Sequence, residues 1–130
     1  VLCLAAEGAA GDADRLLQLA AVLAAGGHAV WPAQAAALRE RLPTDVRERI
    51  ILAGNWLNAH TNFDAVLHHG DAASRQEVAQ ALATRPGAIV GLTGLASGDT
   101  RIPPERLVIE RSLSINTAAA GGNASLMTLE

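Results

Sequence analysis

Short apolar runs alternate with stretches of helical periodicity over the first two-thirds of this chain. The apolar runs lack the polar alternation of a strand with one wet face, so each predicts a strand covered on both sides. Five strands are predicted, at Val1–Ala6, His28–Trp31, Ile50–Ala53, Phe63–His68 and Ala88–Thr93. Such strands separated by helices indicate an α/β fold, a Rossmann-like doubly wound and mostly parallel sheet.

The helices between these strands are predicted from the spacing of apolar positions. The first helix is expected to be capped by Asp12 or Asp14 and to end at Gly26 and Gly27, since glycine takes the left-handed conformation without strain. Its buried face is predicted to consist of Leu16, Leu19, Ala20 and Leu23. Further helices are predicted at Ala33–Leu42, at a turn capped by Thr44, and at Ser74–Arg85 with Val78, Ala81 and Leu82 inward.

The pattern changes after Gly94. Residues 106–116 (Arg106 to Asn116) alternate between apolar and polar positions, which predicts a strand with one exposed face or one that pairs with an absent segment. The start at Val1, inside an apolar run and without Met, predicts a piece of a longer protein and specifically its C-terminal domain. The predicted division is a Rossmann-like domain at 1–94, a linker at 95–105, a flap strand with an irregular tail at 106–128, and a cloning remnant at 129–130.

The composition excludes several classes of function. A net charge of −3 argues against nucleic acid and anionic membranes as partners, because both favour a basic surface. No apolar run approaches the roughly 18–20 residues that span a bilayer. All ten basic residues are arginine, so a P-loop lysine, a Schiff-base lysine and a lysine general base are absent. The single cysteine permits no internal disulfide and suits a reducing cytosol.

The first strand–helix turn invites comparison with the dinucleotide fingerprint G-x-G-x-x-G. The turn holds two glycines, Gly8 and Gly11, whose spacing we interpret as not matching the fingerprint. Glu7 and Asp12 would repel phosphate, and a Trp-Pro pair stands where the ribose-binding acid is expected. No cofactor is therefore predicted for this chain.

Three other side chains are candidates for chemistry. Cys3 lies in an apolar strand without a basic neighbour in sequence, which predicts a buried and inert thiol. His68 and His69 lie at the end of a strand, where adjacent side chains point to opposite faces, so they do not share a metal ion. No nucleophile with a placed base is found, and no catalytic residue or metal site is predicted.

The C-terminal part of the chain carries a resemblance. Residues 107–128, LVIERSLSINTAAAGGNASLMT, closely resemble the motif that ends the long forms of the proline utilization A family, the bifunctional bacterial enzymes of proline catabolism. Weaker similarity extends through residues 63–71, 19–23 and 1–4, so the resemblance covers essentially the whole chain.

The resemblance implies a parent enzyme that oxidises proline with FAD and then oxidises glutamate semialdehyde with NAD in an aldehyde dehydrogenase domain. In long members of the family, the C-terminal domain resembles an aldehyde dehydrogenase cofactor domain but does no chemistry. Its terminal motif forms a flap that covers the cavity between the active sites and supports the aldehyde dehydrogenase site. The residues implied to form this flap are Glu110, Arg111, Ser112, Ser114, Asn116, Thr117, Gly121, Gly122, Asn123, Ser125, Leu126 and Met127.

The resemblance also implies the partners of this chain. They are an aldehyde dehydrogenase domain upstream in the same chain and a second protomer, with no nucleic acid or membrane bound by this domain. The FAD and NAD sites would lie upstream, and the parent would be cytoplasmic with peripheral membrane association. The alternative function is a regulatory module that binds a small molecule or nucleotide at the strand ends, at Gly8–Asp12 and His68–Asp71.

Overall fold

A computed structural model describes residues 1–109 and residue 112 of the chain. Its centre is a sheet of five strands in the spatial order β3-β2-β1-β4-β5, with every neighbouring pair parallel. The strands are β1 (Leu2–Leu4), β2 (Ala29–Pro32), β3 (Ile50–Ala53), β4 (Ala65–His69) and β5 (Gly91–Leu95). The prediction of a Rossmann-like α/β fold is confirmed.

Helices cover both faces of the sheet. One face carries α1 (Ala9–Ala24), a 3-10 turn (Ala33–Ala35) that runs into α2 (Ala36–Glu40), and the short α3 (Thr44–Arg47). The other face carries α4 (Ala72–Thr84) and the irregular connection between β3 and β4. The α1 face packs around a buried apolar cluster, called the α1 cluster below. Its members are Cys3, Leu19, Val22, Ala29, Trp31, Ala35, Leu38, Ile50 and Leu67. The α4 face packs more thinly, because Val78 and Leu82 of α4 are only partly buried.

The face that α1 buries differs from the prediction. Leu16 is 39% exposed and Ala20 is exposed, whereas the buried face consists of Gly11, Asp14, Arg15, Gln18, Leu19 and Val22. The physical reason is that the first half of α1 lies over the ends of the strands, where main-chain carbonyls need donors. Arg15 donates to the carbonyl oxygen of Ala5, and Gln18 donates to that of Leu4.

Several predicted boundaries are also corrected. Helix α1 begins at Ala9 with Gly8 as its N-cap, so neither Asp12 nor Asp14 caps it. The helix predicted at residues 33–42 is a 3-10 turn followed by the five residues of α2. Thr44 is the first residue of α3 and caps nothing. Helix α4 begins at Ala72, because Asp71 accepts a hydrogen bond from the Ser74 amide at 2.8 Å and caps its start.

The structure describes only the start of the predicted flap strand, and there Arg106 lies in a turn instead of a strand. Pro104–Arg106 forms a 3-10 turn, and residues 107–109 belong to no strand. Proline at the first turn position presets the backbone for a helical turn. Leu107 packs against the α1 cluster, while Val108 and Ile109 are 56% and 71% exposed. The alternation therefore does not place Leu107 and Ile109 on one buried face.

Candidate functional site

The strand order reverses between β1 and β4, at the point where α/β proteins usually bind ligands at the carboxyl ends of the strands. Three segments meet there in this chain. They are the turn between β1 and α1, the residues that follow β4, and the segment of residues 96–99 that follows β5. Their contacts decide whether a ligand fits between the two strands.

The turn between β1 and α1 is built like that of a dinucleotide-binding domain. Gly8 has a φ of +86°, and a Cβ on Gly11 would lie 1.7 Å from the carbonyl oxygen of Ala6. These positions match the last two glycines of the fingerprint, with Ala6 in place of the first, so our interpretation of the spacing was wrong. The glycine at position 11 allows the helix to approach the strand closely.

A buried carboxylate fixes the segment after β5 to α1. Asp14 is 1% exposed and accepts hydrogen bonds from the Ser97 hydroxyl at 2.7 Å and from the Gly98 amide at 2.8 Å. Gly98 has a φ of +78°, a left-handed conformation that glycine adopts without strain. A buried carboxylate needs such donors, and these two come from residues more than 80 positions along the chain.

A second chain of hydrogen bonds lies beside the first. The Gln18 amide nitrogen donates to the carbonyl oxygen of Leu4 and to Nδ1 of His69, both at 2.8 Å. Because Nδ1 of His69 accepts, its Nε2 carries the proton and donates to the carbonyl oxygen of Asp99 at 2.9 Å. Gln18 and His69 are fully buried, so these hydrogen bonds join α1, β1, β4 and the segment after β5 inside the domain.

A crevice of about 530 Å³ remains open beside the start of α1. Its charged lining residues are Glu7, Asp12 and Arg15. The Arg15 guanidinium already donates to the main chain and lies 3.5 Å from Asp12. A phosphate group in this crevice would therefore meet two carboxylates that repel it and only one cation, which is already paired. After β2 the chain continues with Ala33 and Gln34, so no acidic side chain stands where one would bind a ribose hydroxyl.

His68 lies on the opposite face of the sheet from His69, as the strand alternation predicts. It is 5% exposed, and burial lowers the pKa of its imidazole, helped by the neighbouring His69 and Arg75. Within residues 1–109 and 112, no three His, Cys, Asp or Glu side chains gather as a metal site would require. Cys3 is fully buried, which confirms its predicted place in the core, and burial raises the pKa of its thiol to about 12.

Most of the predicted flap lies outside the described residues. That holds for Glu110, Arg111, Ser114, Asn116, Thr117, Gly121, Gly122, Asn123, Ser125, Leu126 and Met127, while Ser112 is exposed and in no strand. The segment that leads to them lies near the amino ends of the strands. There Leu107, Val108 and Ile109 line a groove of about 550 Å³ together with Val1, Gly27 and His28.

The hydrogen-bonded residues Asp14, Gln18 and Asp99 were not predicted as a site, although His69 was singled out for another reason. One signal was available. Asp14, Arg15 and Gln18 repeat at helical spacing, and a polar face at that spacing next to a strand end is a candidate for main-chain contacts.

The chain is similar to one segment of larger proteins. It is 50% identical over 131 aligned residues to the bifunctional protein PutA of Salmonella typhimurium and to that of Escherichia coli, each covering 99% of this chain. It is 39% identical over 119 residues to the bifunctional protein PutA of Rhizobium meliloti, covering 86% of this chain. The chain spans about a tenth of the length of these relatives. It is therefore related to that segment of the PutA proteins, which confirms the resemblance to the proline utilization A family.

No protein-family model matches the chain. Among the described residues, no helix combines the length and the apolar character that crossing a membrane requires.

Proposed function

We propose that this chain is a non-catalytic domain of a bifunctional enzyme that converts proline to glutamate. In this proposal the domain covers the cavity through which the intermediate passes and supports the aldehyde dehydrogenase site. The relation to the PutA proteins supports the choice of enzyme. The observation that carries the non-catalytic role is the closure of the ligand-binding strand ends by residues 96–99 of the chain itself.

The side chains at the strand ends favour a structural role. Asp14, Gln18 and His69 are each engaged in hydrogen bonds within the domain, so none of them is free to act as a base or an acid. The Cys3 thiol is buried and protonated at neutral pH, which removes it as a nucleophile. The arrangement resembles a cofactor domain whose ligand place has been filled by its own polypeptide.

The flap is the part of the proposal that meets a partner. Val108 and Ile109 are exposed apolar residues at the start of the motif, and apolar residues exposed side by side are typical of a segment that docks on another surface. We place residues 106–128 on the aldehyde dehydrogenase domain of the same enzyme, with a second protomer as a further contact. The FAD and NAD of that enzyme would be bound by other domains, in the cytoplasm.

Titration calorimetry of NAD into the 130-residue chain tests the non-binding claim. The proposal predicts no heat of binding, because the segment after β5 occupies the space between β1 and β4. Binding at micromolar concentration would contradict the proposal and favour a working cofactor domain.

The alternative function is a regulatory module that binds a small molecule. It is favoured by the open crevice beside α1, where the buried Nε of Arg15 has no hydrogen-bond partner among the described residues. A thermal-shift screen with NAD, ATP, proline and glutamate separates the two functions. A ligand at 100 times its Kd would stabilise the chain by about 2.7 kcal/mol, whereas the structural role predicts no shift.

A further inference from the structure

The chain after β5 crosses the domain from one end to the other. Asp99 lies at the carboxyl ends of the strands, where His69 binds its carbonyl oxygen. Ile102 and Leu107 then pack against the α1 cluster, and Ile109 reaches the groove at the amino ends of the strands. This crossing segment, residues 96–109, thus determines where the C-terminal motif begins.

Apolar burial holds the first part of the crossing segment only weakly. Ala96, Ser97 and Gly98 are exposed, and Asp99 is half-buried. Exposed backbone with little apolar contact opens easily unless polar contacts fix it. Three hydrogen bonds supply these contacts, two to the Asp14 carboxylate and one from the His69 imidazole.

The two side chains that bind this segment, Asp14 and His69, are themselves held in place by the rest of the domain. Asp14 and Gln18 lie one turn apart on the buried face of α1, a helix of 16 residues. Gln18 also donates to the main chain of β1, and this contact fixes which way its amide points. His69 lies at the end of β4, with its tautomer set by Gln18.

We propose that Asp14, Gln18 and His69 are positioning residues that form a polar clamp on residues 97–99 and thereby set where the C-terminal motif starts. The hydrogen bonds described above support the clamp itself. Its consequence for the aldehyde dehydrogenase rests on the proposed function.

Hydrogen exchange in the 130-residue chain tests the clamp directly. Asp14→Asn keeps the shape of the side chain but removes its charge and replaces one of the two accepting oxygens by an NH2 group, which cannot accept. Ser97→Ala removes one donor from an exposed residue and leaves the core intact. We expect amides 97–101 to exchange about tenfold faster or more in Asp14→Asn, with a smaller acceleration in Ser97→Ala and with β1 and β4 unchanged.

Two controls make the exchange experiment specific. Asp12→Asn changes another aspartate of α1, whose ion pair with Arg15 is long at 3.5 Å, and we expect no acceleration. Ser97→Thr keeps the hydroxyl and is expected to restore the protection. If Asp14→Asn does not fold, the comparison of amide exchange rates between Ser97→Ala and Ser97→Thr decides. Equal protection in wild type and Ser97→Ala would then overturn the clamp, as would equal protection in wild type and a folded Asp14→Asn.

The full-length enzyme tests the consequence. We expect Ser97→Ala to slow oxidation of the semialdehyde and to lengthen the lag in NADH formation from proline, with Ser97→Thr restoring both. A truncation after Ile109 separates the two claims. If the truncation slows the aldehyde dehydrogenase and Ser97→Ala does not, the positioning role is wrong and the proposed function stands. If the truncation changes nothing, the proposed function fails, while the exchange result still decides the clamp.

Discussion

Gly11 of α1 lies so close to Ala6 that a Cβ on residue 11 would be 1.7 Å from the Ala6 carbonyl oxygen. The neighbour is main chain and cannot move aside cheaply. This contact brings the start of α1 onto the end of β1, and it gives Gly11 the packing role of the last glycine in a dinucleotide fingerprint.

Replacing Gly11 with alanine should therefore destabilise the chain. In an ordinary helix interior this change stabilises by about 1 kcal/mol, so a loss reverses the expected sign. We expect a loss of about 1–3 kcal/mol or more in the free energy of urea unfolding, because overpacking against backbone forces a shift of α1. Gly54→Ala is a control for an added methyl group with room, since apart from its chain neighbours no heavy atom lies within 4 Å of the added Cβ. Equal stability of wild type and Gly11→Ala would contradict the packing.

The thiol of Cys3 should be unreactive while the chain is folded. Its pKa of about 12 leaves on the order of a thousandfold less thiolate at neutral pH than an ordinary cysteine has. The measurement is the rate of labelling by a thiol reagent, in buffer and in denaturing urea, and all signal comes from this one cysteine. Native labelling as fast as that of the unfolded chain would show that β1 opens readily.

The stability of the chain should depend on pH through His68. Because its pKa in the folded chain is lowered, chiefly by burial, the unfolded chain binds the proton more tightly. The contribution of His68 to the stability is therefore fully present above pH 6.5, the ordinary pKa of histidine. It is lost as the pH falls from there towards the lowered pKa of the folded chain. His69 and Arg75 act in the same direction, and Asp71 opposes them.

The measurement is the free energy of urea unfolding at several pH values between 8 and 5. His68→Gln should lose less stability than wild type over this range, because glutamine does not titrate. Parallel curves for the two chains would rule out His68 as the source of the pH dependence.

Arg85 should stabilise the connection between β3 and β4. Its guanidinium lies 4.4 Å from the centre of the Phe63 ring and also donates to the carbonyl oxygen of Thr61. We expect Arg85→Ala to cost about 1–2 kcal/mol in unfolding free energy, and Arg85→Lys to recover only part, because a flat guanidinium stacks on the ring better than an ammonium. Arg41→Ala, at an exposed arginine, is the control. An unchanged free energy of unfolding in Arg85→Ala would contradict a stabilising role for this contact.

The fold was predictable because apolar runs such as Val1–Ala6 carry the pattern of a strand covered on both faces, and Leu2, Cys3 and Leu4 are all buried in β1. The buried face of α1 was not predictable from apolar spacing, since Asp14 and Gln18 are buried for the sake of partners distant in sequence. Residues 106 and 107 also depart from their pattern. Their alternation suggests a strand, but the proline-led 3-10 turn and the packing of Leu107 override it.

The site was partly predictable. The absence of a ribose-binding acid after β2 is visible in the sequence, because it depends on neighbours along the chain. The closure of the strand ends depends on contacts such as that between Asp14 and Gly98, which only the folded chain brings together. The place of His69 at the end of a strand is visible in the sequence, whereas its hydrogen bonds to Gln18 and Asp99 are not.

The most direct test of the proposed function is a full-length enzyme truncated after Ile109, which keeps the described contacts of Leu107 and removes the C-terminal motif. Three quantities are measured: proline dehydrogenase activity alone, aldehyde dehydrogenase activity alone, and the lag in NADH formation from proline. We expect proline dehydrogenase activity to be retained, aldehyde dehydrogenase activity to fall and a lag to appear. No change in any of the three would contradict the proposed function.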